Sequence, residues 1–189
     1  HVSTQASTTN WHTVQMWKEL GATRVVAARE VSLADLKEMK DHVDIEIESF
    51  VHGSMCISYS GRCLLSNYMT GNRDANRGQC SQSCRWKYSL VESNRPGEYY
   101  PIEEDEHGTY IFNSKDLCLI HRIPDLYEAG IDSLKIEGRM KSVHYCATVA
   151  KVYRTAIDTY LKEGKDWYVR PEWIAELEKI SHRPYTDGF

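Results

Sequence analysis

The chain has 189 residues, 41% of them hydrophobic, which suits one domain with its own core and excludes a disordered tract. A formal net charge of −4 excludes a globally basic nucleic-acid binder, and no run approaches the roughly 18 apolar residues of a membrane span, so a cytoplasmic protein is expected. Six cysteines without a signal-peptide pattern argue against a disulfide-stapled secreted fold.

Short β-like runs alternate with helical patterns along the chain. Strands are expected at Val2–Gln5, Arg24–Ala28, Asp44–Phe50, Thr109–Asn113 and Ser133–Glu137. Asn10 can cap a helix in which Trp11, Val14, Trp17 and Leu20 recur at helical spacing and Gly21 ends the run. Ser32 with Asp35 three residues on is a capping-box start. Ser142 opens the longest helix, with Tyr145, Val149, Tyr153, Ala156 and Tyr160 on one stripe, and Pro171 opens another. Strand–helix alternation predicts an α/β fold with a parallel sheet and right-handed crossovers.

The alternation breaks between the third and fourth strands. Residues 53–108 form an insertion too long for an ordinary connection, and such insertions are usually functional. Within it Cys56, Cys63, Cys80 and Cys84 fall inside 29 residues, and Cys118 follows beyond it. Residues 56–88 carry Arg62, Arg73, Arg77, Arg85 and Lys87 against Asp74 alone, interleaved with Tyr59, Tyr68, Trp86 and Tyr88. Thiols in electropositive surroundings favour the thiolate that binds metal. Zinc would want paired knuckles, and only Cys80/Cys84 comes near that spacing; long uneven gaps suit an iron–sulfur cluster better. Cys146, among Ala147, Val149 and Ala150 on the long helix, reads as a core cysteine. The arginines with Trp86 could hold phosphates and stack an unpaired base, or the aromatics could pack around a cluster.

Polar residues gather where the strands end: Ser3–Thr4–Gln5, Glu30, Glu48 with His52, Ser114–Lys115–Asp116, and Lys135, Glu137 and Arg139. That edge is where α/β barrels and doubly wound sheets bind ligands. Period-2 alternation puts Lys135 and Glu137 on one face, and Glu48, Lys135, Glu137 and Arg139 are expected to converge as the catalytic group, either serving a substrate or closing a buried ion-pair network. There is no Gly-x-Ser-x-Gly elbow and no His-Glu-x-x-His helix, and His52 near Cys56 is a weak cysteine–histidine pairing.

The stretch Glu48-x-Phe50-x-x-Gly53-Ser54-Met55-Cys56-x4-Gly61-x-Cys63-x-Leu65-Ser66 resembles the signature of the collagenase-like peptidase family, family thirty-two among peptidases of unknown type. Ser3-Thr4-Gln5, Arg73–Gly78, Cys84-Arg85-Trp86, Asn113–Cys118, Lys135–Arg139 and Ser181-x-Arg183 extend the resemblance over essentially the whole chain. It looks closest to the branch that supports hydroxylation of a wobble uridine in tRNA. The resemblance implies a (β/α)8-like barrel and a 4Fe-4S cluster on Cys56, Cys63, Cys80 and Cys118, with Cys84 as the alternative to Cys80. It further implies tRNA as partner, a partner chain of the same family, and prephenate as the source of the hydroxyl, whose carboxylates Lys135 and Arg139 would grip. Collagenase-like peptidase activity is the competing reading, and a non-catalytic RNA-binding scaffold bearing the cluster is a third. Five βα-like units where a full barrel has eight make the chain read as a fragment, the later part of a barrel without its first strands and without a C-terminal domain.

Overall fold

The structure, a computed structural model, describes residues 1–86, 88–101 and 115–188. They fall into two compact units, one formed by His1–Met55 with Lys115–Phe189 and the other by Cys56–Ser114.

The first unit is built by the local signals of the sequence. Asn10 accepts from the Thr13 N–H at 3.0 Å and opens α1 (Trp11–Glu19). Strand β1 (Arg24–Val26) leads to α2 (Leu33–His42), where Ser32 and Asp35 cap each other's backbone in a full capping box. Strand β2 (Glu46–Ser54) is the longest. The second unit holds α3 (Leu65–Thr70) and the hairpin β3 (Ser89–Leu90) with β4 (Tyr100–Pro101). Back in the first unit come β5 (Asp116–Cys118), α4 (Ile123–Glu128), β6 (Ser133–Glu137), α5 (Val143–Glu163) opened by Ser142, α6 (Pro171–Glu178), and β7 (Tyr185–Thr186).

The α/β class holds, and the sheet is mixed and open rather than a closed barrel among the described residues. Val2 bridges β1, β1 pairs parallel with β2, and β6 pairs parallel with the other edge of β2, so these parallel segments lie side by side in the order of the chain, although β5 comes between β2 and β6 in sequence. The all-parallel expectation fails at β5, which runs antiparallel to β2 through His52↔Cys118 and Ser54↔Asp116. A strand entering after a long insertion is not bound by the crossover rule that keeps βαβ neighbours parallel. Two further differences are local. The expected strand Val2–Gln5 shortens to a bridge at Val2, because the Ser3 hydroxyl accepts from the Gln5 N–H and Thr4–Ala6 turns into a 3-10 helix. The expected strand Thr109–Asn113 lies outside the described residues.

Alternation along β2 divides the faces. Ile47 packs with Val14, Val25, Leu36 and Met39 beneath α1 and α2, while Val51 joins Tyr145, Val149, Trp173 and Leu177 of α5 and α6. Glu48 and Phe50 fall on the alternate positions and carry the chemistry described next. At Gly53 (φ +108) the β6 backbone comes so close that an added Cβ would lie 2.1 Å from the Glu137 carbonyl oxygen. Only glycine admits both the dihedral and the approach.

Candidate functional site

Two ion pairs flank one aromatic ring in the first unit. The Glu48 carboxylate accepts from Lys135 Nζ at 2.9 Å and from the Ser133 hydroxyl at 2.9 Å, with Arg24 Nη1 at 3.3 Å. Arg29 Nη2 lies 3.3 Å from Glu137. Phe50 stands between the pairs, with the Arg29 guanidinium 4.0 Å and the Lys135 ammonium 5.4 Å from its ring centre. Burial works to raise the Glu48 carboxyl, but hydrogen bonds from Lys135 and Ser133 and the Lys135 charge outweigh it and leave the group below its ordinary value. Glu48 is thus a fixed anion that holds Lys135 in place. The pair sits within β2 (Glu46–Ser54) and β6 (Ser133–Glu137) rather than at their carboxyl ends, because β2 runs on past Phe50 to Ser54.

Of the four residues expected to converge, Glu48 and Lys135 meet directly. Glu137 turns to Arg29 instead, and accepts from the backbone N–H of Arg139 at 3.1 Å. The Arg139 side chain points to solvent. Arg29 follows the β1 run directly, beside Glu30, and no local sequence pattern marks it as the partner of Glu137.

A second polar knot ties together two of the family-like blocks, Asn113–Cys118 and Ser181-x-Arg183, through Lys141. Asp116, fully buried, receives Lys141 Nζ at 3.4 Å and the Arg183 N–H at 3.3 Å, and Lys141 also donates to the Ser181 carbonyl at 2.9 Å. His52 lies beside it, fully buried and ringed by Tyr145, Tyr153 and Tyr185, and neither of its ring nitrogens has a hydrogen-bond partner. Burial drives its pKa down to about 4, with Asp116 opposing and His182 and Lys141 assisting. A neutral imidazole with no partner forms no cysteine–histidine dyad. Cys118, its ladder partner, has its thiol pushed up by burial, and the Tyr153 hydroxyl lies 3.9 Å from its sulfur.

The second unit carries Cys56, Cys63, Cys80 and Cys84. All six cysteines of the chain are free thiols. Cys63, Cys80 and Cys84 interact electrostatically, and burial raises the Cys84 thiol although Arg85 opposes it, so the electropositive stretch does not lower that thiol. Cys80 Sγ accepts from the Gln82 N–H at 3.3 Å. The Arg73 guanidinium donates to the carbonyls of Gln79 at 3.1 Å and Cys80 at 3.4 Å, which makes it a brace for the cysteine loop. Arg77 sits 3.7 Å from Asp74, Arg62 is exposed, Arg85 is half-buried, and Trp86 is exposed, tilted against Tyr88. Among the described residues no three His, Cys, Asp or Glu side chains stand in metal-binding geometry. Free thiols are nevertheless the donor type that a thiolate-ligated cluster takes. No helix among the described residues is long and apolar enough to cross a membrane.

Family comparison gives these features their class. Residues 1–189 match Peptidase family U32, and the chain belongs to that family. It is 52% identical over 189 residues to tRNA hydroxylation protein P1 of Bacillus subtilis (strain 168), covering 100% of this chain and 44% of that protein. It is 42% identical to tRNA hydroxylation protein P of Escherichia coli (strain K12), over 100% of this chain and 50% of that protein. A more distant relative, at 34% identity over 100% of this chain and 29% of its own length, is the 23S rRNA 5-hydroxycytidine C2501 synthase of Escherichia coli (strain K12). The chain thus spans about half the length of the tRNA hydroxylation proteins it matches. No solved structure matches it.

Proposed function

We propose that this chain is part of an RNA-modifying enzyme that hydroxylates a tRNA uridine at carbon 5, drawing the hydroxyl from prephenate. The observation that carries the reading is similarity over the whole chain to relatives named for tRNA hydroxylation, with a further relative named for 5-hydroxycytidine synthesis. Exposed Tyr59, Tyr68 and Trp86 interleaved with arginines suit an unpaired, stacked nucleotide on a phosphate backbone. Lys135, held by Glu48, is the cation we assign to the carboxylate of the donor acid.

A 4Fe-4S cluster on Cys56, Cys63, Cys80 and Cys118 belongs to the same proposal; when bound it would supply electron transfer. Cys80 is favoured over Cys84 because its sulfur already accepts a backbone N–H, whereas burial keeps the Cys84 thiol protonated. The open sheet is read as part of a (β/α)8-type barrel, since Val2, β1, β2 and β6 are neighbours in chain order, the winding of a barrel rather than of a doubly wound sheet.

Mass spectrometry of tRNA from cells lacking the full-length protein tests the function. Nucleosides derived from 5-hydroxyuridine are expected to disappear, to return with the wild-type gene, and to stay absent with Lys135→Met. Purified full-length protein should leave gelatin intact. Unchanged tRNA together with gelatin cleavage would replace this reading with proteolysis.

A further inference from the structure

The first unit holds a cavity of about 450 Å³ at a break in its sheet. Because β6 occupies one edge of β2, β1 and β5 share the other. The β1 side ends where the Ala27 N–H donates to the Glu48 carbonyl, and the β5 side begins where the Leu119 N–H donates to the Val51 carbonyl. Ser49 and Phe50, the β2 residues between those bonds, line the cavity. A break beyond the carboxyl end of a parallel strand is where open α/β sheets take ligands.

Arg29, which follows β1, lines the same cavity. Its guanidinium carbon stands 4.0 Å over the centre of the Phe50 ring, and Nη2 lies 3.3 Å from Glu137. Glu137 is oriented in turn by the Arg139 N–H at 3.1 Å. An arginine that serves a phosphate offers an accessible, uncompensated charge. Arg29 offers neither, because its side chain is 15% exposed and already faces a carboxylate. Arg122, the other guanidinium of the lining, is paired with Asp125 and Asp187. The cavity is therefore polar without being a site for an anion. What Arg29 does offer is a plane, and arginine planes stack unpaired bases. Ser32, Ser49 and Asp187 add hydroxyl and carboxylate groups, so donors and acceptors surround that plane as the edge of a pyrimidine requires.

Neighbouring bases cover the faces of a stacked pyrimidine, so an enzyme acting on its ring takes it out of the stack and gives it new partners. We propose that Arg29, backed by Phe50 and pinned by Glu137, is such a partner, a specificity-determining residue on which the target pyrimidine of the RNA stacks in this cavity. Its role rests on the RNA reading above, to which it adds the residue and the place. Lys135, assigned to the donor acid, lies 5.4 Å from the centre of the same Phe50 ring, so base and donor are held by cations that share one side chain.

Fluorescence anisotropy tests it, with the full-length protein and a labelled RNA pentamer carrying uridine or 5,6-dihydrouridine at its centre. The two bases present the same oxygens and N–H, but the second lacks the planar aromatic ring. The wild type should bind the uridine RNA at least about fivefold more tightly, the lower bound for stacking one base. Arg29→Lys keeps a cation for Glu137 and has no plane. It should weaken the uridine RNA about fivefold and leave the dihydrouridine RNA nearly unchanged, so that the two bind alike. Ala34→Trp, at an exposed position of the first turn of α2 that lines the cavity, should erase the difference too, with the melting temperature unchanged. Equal affinity of the two RNAs for the wild type overturns the proposal, and so does a difference that survives either variant. Equal weakening of both RNAs by a folded Arg29→Lys protein also overturns it and leaves Arg29 a structural ion pair. Should Arg29→Lys unfold, Ala34→Trp decides alone. Binding of neither RNA overturns the stacking role as well. Loss of 5-hydroxyuridine from tRNA in cells lacking the protein is measured separately, so the stacking role and the function it rests on fail independently.

Discussion

The two units of this chain are stabilised by opposite means. In the first, the buried residues are apolar and continuous: Val14, Ile47, Met39 and Val25 under α1 and α2, and Val149, Leu177 and Tyr153 between α5, α6 and the sheet. In the second, the buried residues among those described are Ser60, Ser66, Ser83 and Cys84, while Tyr59, Leu64 and Tyr68 are 72%, 75% and 85% exposed. Its contacts are polar and specific. Ser66 binds Ser81, Asn67 binds Asp74 at 2.6 Å, Asn76 binds the Gly61 carbonyl at 2.7 Å, and Arg73 holds the Cys80 loop. Hydrogen bonds contribute only about 1 kcal/mol each once competition with water is counted, whereas each fully buried leucine or valine adds about 1.5–3 kcal/mol. A unit that buries serines and exposes tyrosines needs another source of order, and metal ligation is the usual one for small cysteine-bearing folds.

The sharpest way to break that contrast is to remove the thiols. Cys63→Ser in the full-length protein should open the second unit to protease by about two orders of magnitude, with cuts confined to residues 56–114 and the first unit uncut. That factor corresponds to about 3 kcal/mol of lost local order, modest beside the apparent 10–16 kcal/mol of structural metal sites. Unchanged cleavage in the variant would mean that the polar contacts suffice alone and that no cluster organises the loop.

The first unit has a point of comparable sensitivity. Gly53→Ala places a methyl group 2.1 Å from the Glu137 carbonyl oxygen at a φ of +108. Backbone strain costs about 1–3 kcal/mol and the clash with β6 adds to it, so a loss of about 4 kcal/mol is expected in urea unfolding. The same change should displace Glu137 from Arg29 and cost activity even where the protein stays folded. A loss below about 1 kcal/mol would show that β2 and β6 can part at little cost.

The contrast between units also explains what the sequence made legible. Asn10, Ser32, Ser142 and Pro171 announce their helices because a cap acts within three residues. Ser133–Glu137 is legible as a β-like run, and the meeting of Glu48 with Lys135 follows the expectation that the polar strand residues converge. The antiparallel β5, the Asp116–Lys141 pair and the Arg29–Glu137 pair depend on contacts across 62, 25 and 108 residues, which no local pattern encodes. The reading of Val2–Gln5 as a strand failed for the opposite reason: a serine hydroxyl offered the backbone a nearer partner than the neighbouring strand. In the cysteine loop, spacing identified the thiols but not the role of Arg73, because bracing a carbonyl and binding a phosphate use the same side chain.

The last of these effects depends on pH. His52 is fully buried and neutral, and faces Asp116, Lys141 and His182 together with the rings of Tyr145, Tyr153 and Tyr185. Its pKa falls to about 4 in the folded chain, against about 6.5 for an unfolded histidine. Below pH 6.5 the unfolded state therefore takes up a proton that the folded state refuses. The stability that His52 contributes is complete above pH 6.5 and is lost as pH falls toward 4, by about 3 kcal/mol over that window. Urea midpoints of the full-length protein at pH 7.5, 6, 5 and 4.5 should trace this decline. His52→Phe fills similar space, carries no proton, and removes two buried nitrogens that lack partners. It should flatten the decline while leaving stability at pH 7.5 within about 1 kcal/mol of the wild type, because replacing unsatisfied polar atoms by apolar ones of the same shape is close to neutral. If the variant loses stability on acidification as steeply as the wild type, the proton is taken up elsewhere, with Asp116 and its Lys141 partner the next groups to examine.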